Sequence, residues 1–168
     1  TLAPRPSSRT NGQNMIAIAS GKGGVGKTWL AITLTHALAQ QKLRTLLFDG
    51  DLGLANLDIQ LGLMPKHDLG SVIAGRLTLN QAVLTYEEGN FHIIAGRSGS
   101  GGLANVPVSR LKILGDDLNL LAAAYDKVII DLGAGVERTV RQLTQSVGIR
   151  LVVATDEPTS LTDAYAFI

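Results

Sequence analysis

Residues 20–30 read SGKGGVGKTWL, a glycine-rich stretch with a lysine near each end. Residues 21–28 satisfy the spacing G-x-x-x-x-G-K-[ST]. Glycine has no Cβ, so successive backbone N–H groups can turn inward around a phosphate. A helix that follows directly adds the positive end of its dipole. Gly21, Lys22, Gly23, Gly24, Val25 and Gly26 would then form the phosphate cradle. Lys27 would reach the β- and γ-phosphates of a nucleoside triphosphate, and the Thr28 hydroxyl would bind Mg²⁺.

Three carboxylates extend this chemistry. Asp131 closes the run KVIID, and Asp49 and Asp51 follow the run TLLF. An acid ending a buried strand can hold a water of the Mg²⁺ shell, which is the role expected of Asp131. Of Asp49 and Asp51, one can support that shell and the other can orient an attacking water. A rival pattern is present: Gly21, Gly23 and Gly26 also fit G-x-G-x-x-G, with Asp49 following Gly26 by 23 residues. That is the dinucleotide-binding fingerprint. It has no use for Lys27-Thr28 or for Asp131, so a polyphosphate is the favoured ligand. His36, His67 and His92 share no metal-ligand spacing and read as structural or surface residues.

Short apolar runs must position these groups. They fall at 15–20, 45–48, 91–95, 127–131 and 150–155. Apolar on both faces, they suit parallel strands covered by helices. Helical patterns lie near 27–41, 54–61, 68–74, 79–84, 109–124 and 136–147, and a last helix opens at Pro158. Strands alternating with helices predict an α/β fold of three layers, a mainly parallel central sheet flanked by helices. The glycine loop, Asp49 and Asp131 all fall at strand C-terminal ends, where such sheets bind ligands.

Composition narrows the class. The chain is 45% hydrophobic and 17% charged, which fits a domain with buried strands and not a disordered one. Its net charge of +1 gives no support for nucleic acid as a partner. Without cysteine there are neither disulfides nor thiolate metal sites. No apolar run has the length of a membrane span, and residues 1–14 lack the apolar core of a secretory signal, so the cytoplasm is the expected location. Residues 1–14, with two prolines, two arginines and no acid, read as a flexible leader to a domain over 15–168.

The segment KGGVGKT at 22–28 resembles the deviant Walker A motif of the MinD/ParA ATPases, whose hallmark is the extra lysine, here Lys22. DGDLGLANLD at 49–58 resembles the switch I segment of that family, and DLGAG at 131–135 its switch II segment. GDLGLANLDIQLGLMPK and DEPTSLTDAYAFI are similar to the flagellar-number regulator (FlhG/FleN) branch. The resemblance covers residues 15–168 and implies a three-layer P-loop NTPase fold and an ATP-dependent homodimer. In it Lys22 reaches the partner's nucleotide, Asp51 aligns the hydrolytic water, and hydrolysis is slow. It implies ATP and Mg²⁺ as cofactors and, in the flagellar branch, a flagellar transcription activator or assembly protein as partner; a positioning ATPase for division or partitioning and a non-hydrolysing scaffold are the alternatives. Contact with the inner membrane surface would come from a C-terminal amphipathic helix beyond Ile168, so the domain reads as truncated there.

Two positions depart from that pattern. Trp29 stands where relatives carry a small hydroxyl residue bonded to the α-phosphate. Leu132 stands where they carry a hydroxyl after the strand-end acid. Both losses lie in sequence beside phosphate or metal groups, which predicts retained Mg-ATP binding with slowed hydrolysis.

Overall fold

A computed structural model of the protein describes residues 12–52, 57–96, 106–134, 141–143 and 145–167. Strand β1 (Met15–Ser20) is buried along its whole length. Helix α1 (Lys27–Gln40) turns Lys27, Ala31, Thr35 and Ala39 inward, one residue per turn. Three of these side chains are small, so the helix can lie close on the sheet, and Leu30, Ile32, Leu34 and Leu38 pack beside them. Strand β2 (Thr45–Gly50) is again wholly buried. Two short helices follow, α2 (Leu57–Gln60) and α3 (Leu69–Ile73), then a 3₁₀ turn (Leu79–Ala82) closed by a Thr78–Gln81 capping box. Strands β3 (Leu84–Tyr86) and β4 (Phe91–Ile94), helix α4 (Val108–Ala122), strands β5 (Lys127–Ala134) and β6 (Ile149–Val152), and helix α5 (Pro158–Phe167) complete the described elements.

The sheet order is β3-β4-β2-β5-β1-β6. β3 runs antiparallel to β4, and the other pairings are parallel. The chain leaves β1 through α1 to β2 and skips the slot that β5 later fills. Helix α1 covers the face that carries Ile18, Leu47 and Ile129. Helix α4 runs from β4 back to β5, in the opposite direction, and covers the other face, with Phe48, Val128 and Ile130. Opposite directions on opposite faces are what right-handed crossovers require. Each fully buried Leu, Ile or Phe contributes roughly 1.5–3 kcal/mol, so the two apolar faces are the main term holding the layers together. The functional consequence is that β1, β5 and β2 end side by side beneath the start of α1.

Three expectations change. The helix expected over 79–84 is a single 3₁₀ turn, and Leu84 already belongs to β3. So short an apolar run cannot declare its period. The last strand falls at 149–152, and Ile149, Arg150 and Leu151 on it are exposed, because β6 is an edge strand. Asn14, expected in the leader, is buried and its side-chain amide donates to Ala122 O (2.8 Å) and Tyr125 O (2.9 Å), tying β1 to the end of α4. Residues 1–11 lie outside the described residues, as do 53–56 of the switch I-like segment, Gly135, and most of the helix expected over 136–147.

Candidate nucleotide-binding site

The loop from β1 to α1 is set by its backbone. Ser20 Oγ donates to Lys22 O at 2.5 Å and holds the first turn. Gly24 and Gly26 have φ of 76° and 93°, in the left-handed region that side chains disfavour. Gly26 is the N-cap of α1, and the first helical bond runs from Leu30 N–H to Gly26 O at 3.0 Å. No side chain caps this terminus and its first turn carries no acid. The amides of that turn therefore face the loop without an anion from α1 itself, as an anion-binding helix end requires.

Gly21 answers a different demand. A Cβ there would lie 2.2 Å from Asp163 Cβ and 2.3 Å from Asp163 C, so α5 presses directly on the loop. Gly21→Ala has to displace helix backbone. Urea unfolding of this variant is expected to show a loss of about 1–3 kcal/mol.

The acids gather under the start of α1. Asp49 and Asp131 are register partners on β2 and β5. Asp49 shares its face with Leu47, and Asp131 with Ile129, so both point toward α1. Asp49 accepts from the N–H groups of Asp51 (3.3 Å) and Gly96 (3.4 Å). Burial, reinforced by the Asp131 charge, still pushes its carboxyl up to about 7. Burial also pushes Asp131 up to about 6, against the hydrogen bond from Thr28 and the positive charge of Lys27. Asp51 is half-buried, and a Cβ on Gly133 would lie 3.3 Å from its Oδ1.

These residues fit a hydrated Mg²⁺ held between phosphate and protein. Asp131 Oδ1 is buried and has no hydrogen-bond partner, while Thr28 stands next to the same carboxyl. A lone pair left unmatched in the interior is costly unless something fills it. Among the described residues no three His, Asp or Glu side chains form a metal cage. That agrees with Mg²⁺, which keeps waters and takes few protein ligands. Lys27, itself buried, lies close enough to Asp131 for its charge to act on that carboxyl.

Lys22 lies elsewhere. It sits on the rim, and its Nζ meets Glu157 Oε2 at 2.5 Å. Trp29, the last residue of the expected nucleotide-binding stretch 21–29, lies in the first turn of α1. Two residues past the inward-turned Lys27, at about 100° per residue, its indole faces solvent and is 69% exposed. The expectation for Leu132 is corrected. Strand alternation sends it to the face opposite Asp131, where it is buried with Leu52 and Ile130. Leu132→Thr is expected to cost about 2–3 kcal/mol in urea unfolding and to leave nucleotide affinity unchanged.

Glu157, Asp163 and the Gly96 amide were not singled out from sequence. No spacing rule links Glu157 to Lys22 across 135 residues. His92 packs far from the loop, with its Nδ1 2.8 Å from Tyr125 OH. It is a structural residue, as expected.

A glycine loop between the first strand and first helix, with acids at the ends of the neighbouring parallel strands, defines a P-loop nucleotide-binding fold. The chain belongs to the CobQ/CobB/MinD/ParA nucleotide-binding domain family, matched over residues 16–161. It is 39% identical over 154 residues to the antiactivator FleN of Pseudomonas aeruginosa, covering 92% of this chain and 55% of FleN. It is 31% identical over 153 residues to the flagellum site-determining protein YlxH of Helicobacter pylori, covering 91% of this chain and 52% of YlxH. Among solved structures it resembles the septum site-determining protein MinD of Pyrococcus horikoshii, complexed with Mg-ADP. There the TM-score is 0.79 at 30% identity, over 89% of this chain and 61% of that one. The chain thus spans about half the length of the curated relatives it matches. The family and the flagellar branch expected from the motifs are both borne out, as is the three-layer fold.

Proposed function

We propose that this chain is the ATPase domain of a molecular switch that binds Mg-ATP, hydrolyses it slowly, dimerises in its presence and regulates flagellar number or placement. The reading is carried by one constellation: buried Lys27 and half-buried Thr28 against Asp131, whose Oδ1 has no partner, beneath an uncapped helix end. Relatives named for flagellar roles supply the process. ATP and Mg²⁺ are the cofactors, the latter supplying charge neutralisation at the phosphates when bound. The loop amides and Lys27 bind the triphosphate. Thr28, Asp131 and Asp49 hold the metal and its waters. Asp51 orients the attacking water, and Lys22 reaches the nucleotide of the second subunit. The protein acts in the cytoplasm, at the inner membrane surface, with a flagellar transcription activator or assembly protein.

The test is calorimetry with Mg-ATP, then sizing with and without Mg-ATP, for the wild type and Lys22→Ala. Binding by both, with an ATP-dependent dimer in the wild type alone, supports the reading. No heat at millimolar ATP and Mg²⁺ overturns it. Phosphate release above a Lys27→Ala control separates an ATPase from a non-hydrolysing scaffold. Trp29→Thr returns a hydroxyl to the first turn of α1. Its expected gain in ATP affinity is about tenfold, one charge-assisted bond, with stability unchanged because the indole is exposed. An affinity equal to wild type would leave the lost hydroxyl without consequence.

A further inference from the structure

The rim of the loop holds one ammonium, Lys22, and a carboxylate that claims it, Glu157. Lys22 Nζ is 2.5 Å from Glu157 Oε2, with side chains 43% and 60% exposed. The main chain around Lys22 has little freedom. Its carbonyl takes the Ser20 hydroxyl, and the preceding residue, Gly21, lies against Asp163 of α5. Glu157 comes from the turn that opens this same helix. That turn is closed by Thr155 N–H donating to Ser160 Oγ at 3.0 Å, which fixes where the carboxylate stands. The loop and the start of α5 are therefore joined twice, by backbone packing at Gly21 and by the ion pair at Lys22.

We propose that Glu157 is an internal latch on Lys22: the two pair within one chain, and Glu157 must give up the ammonium when Lys22 engages a triphosphate, on its own chain or on a second copy. This rests on the reading of the chain as an ATP-driven switch. One ammonium cannot keep full contact with a fixed carboxylate and a phosphate reached from elsewhere. The bridge is exposed and therefore weak, so the exchange is readily reversible. Glu157 acts as a positioning residue through Lys22, and its release also frees the start of α5. Leu161 and Tyr165 on that helix are exposed, so a change at Lys22 reaches the outer surface of the domain.

The experiment compares wild type, Glu157→Gln, Lys22→Ala and the double variant, with Mg-ATP binding by calorimetry and the dimer constant by sizing. An exposed pair is worth about two- to five-fold in an equilibrium constant. Glu157→Gln is expected to strengthen ATP-driven dimerisation by about that factor per subunit, about four- to twenty-five-fold for two latches. Lys22→Ala is expected to lack the ATP-driven dimer whether or not Glu157→Gln accompanies it. Carboxylate NMR of Glu157 supplies a readout that simple packing would not move. Lys22 holds this carboxyl below its ordinary range, and saturating Mg-ATP should return it to that range. A Glu157→Gln effect on dimerisation that is absent, or ATP-driven dimerisation regained in the double variant, overturns the latch, as does an unmoved Glu157 titration with ATP bound. Failure of the wild type to take up Mg-ATP overturns the switch reading and the latch together, whereas uptake with Glu157 unmoved overturns the latch alone.

Discussion

Replacing Lys27 with alanine is expected to lower Mg-ATP affinity by about 100-fold. A charge-assisted hydrogen bond is worth about 1.5–3 kcal/mol, or roughly ten- to a hundred-fold. Lys27 stands at the upper end because it is buried and aimed at the site instead of tethered in solvent. The loss should not unfold the domain. With the ammonium gone, Asp131 answers by holding its proton more tightly, since Lys27 is one of the groups that restrain it. The buried acid is then neutral, not left as an uncompensated charge. Calorimetry gives the affinity, and a thermal melt without nucleotide verifies the fold. An affinity within about threefold of wild type, under 1 kcal/mol, would remove Lys27 from the phosphate site.

The second large effect is on stability against pH. Asp49 and Asp131 hold their protons up to about 7 and about 6 in the folded chain, against an ordinary 3.8. Between about pH 4 and 7 the folded state therefore binds more protons than the unfolded one. Stability is fully present below the ordinary carboxyl value and falls as pH rises through the folded values. The loss is complete above about pH 7, where both carboxyls are ionised in either state. Urea midpoints between pH 4.5 and 8 should show this decline, after allowance for the other carboxylates, which act in the opposite sense. Asp49→Asn should flatten it, gaining stability at pH 8 and little at pH 4.5. Mg-ATP binding should release protons near pH 6.5, read as a heat that depends on the buffer. A midpoint that rises steadily with pH, unaltered by Asp49→Asn, would contradict the buried pair.

Much of this site was legible in the chain itself. Spacing in residues 21–28 specifies the cradle, because only glycine admits the positive φ at Gly24 and Gly26 without strain. Strand positions were readable because wholly apolar runs reach a carboxylate, at Asp49 and Asp131, although β5 itself continues past Asp131 to Ala134. The edge position of β6 and the antiparallel β3 were not readable. A strand's neighbours depend on crossovers that no local pattern encodes, and short runs do not reveal their period.

What residue order alone determined, then, is the local chemistry: a glycine turn, a lysine, a hydroxyl, and acids closing buried strands. Tertiary structure decided which side chains those groups meet. Register on the sheet brings Asp49 beside Asp131. Alternation along β5 turns Leu132 away from the site, and the phase of α1 turns Trp29 into solvent. The fold's closure brings Glu157 to Lys22. Backbone conformation is settled by near neighbours, whereas burial, pairing and charge depend on residues far apart in the chain that only the packed layers bring together.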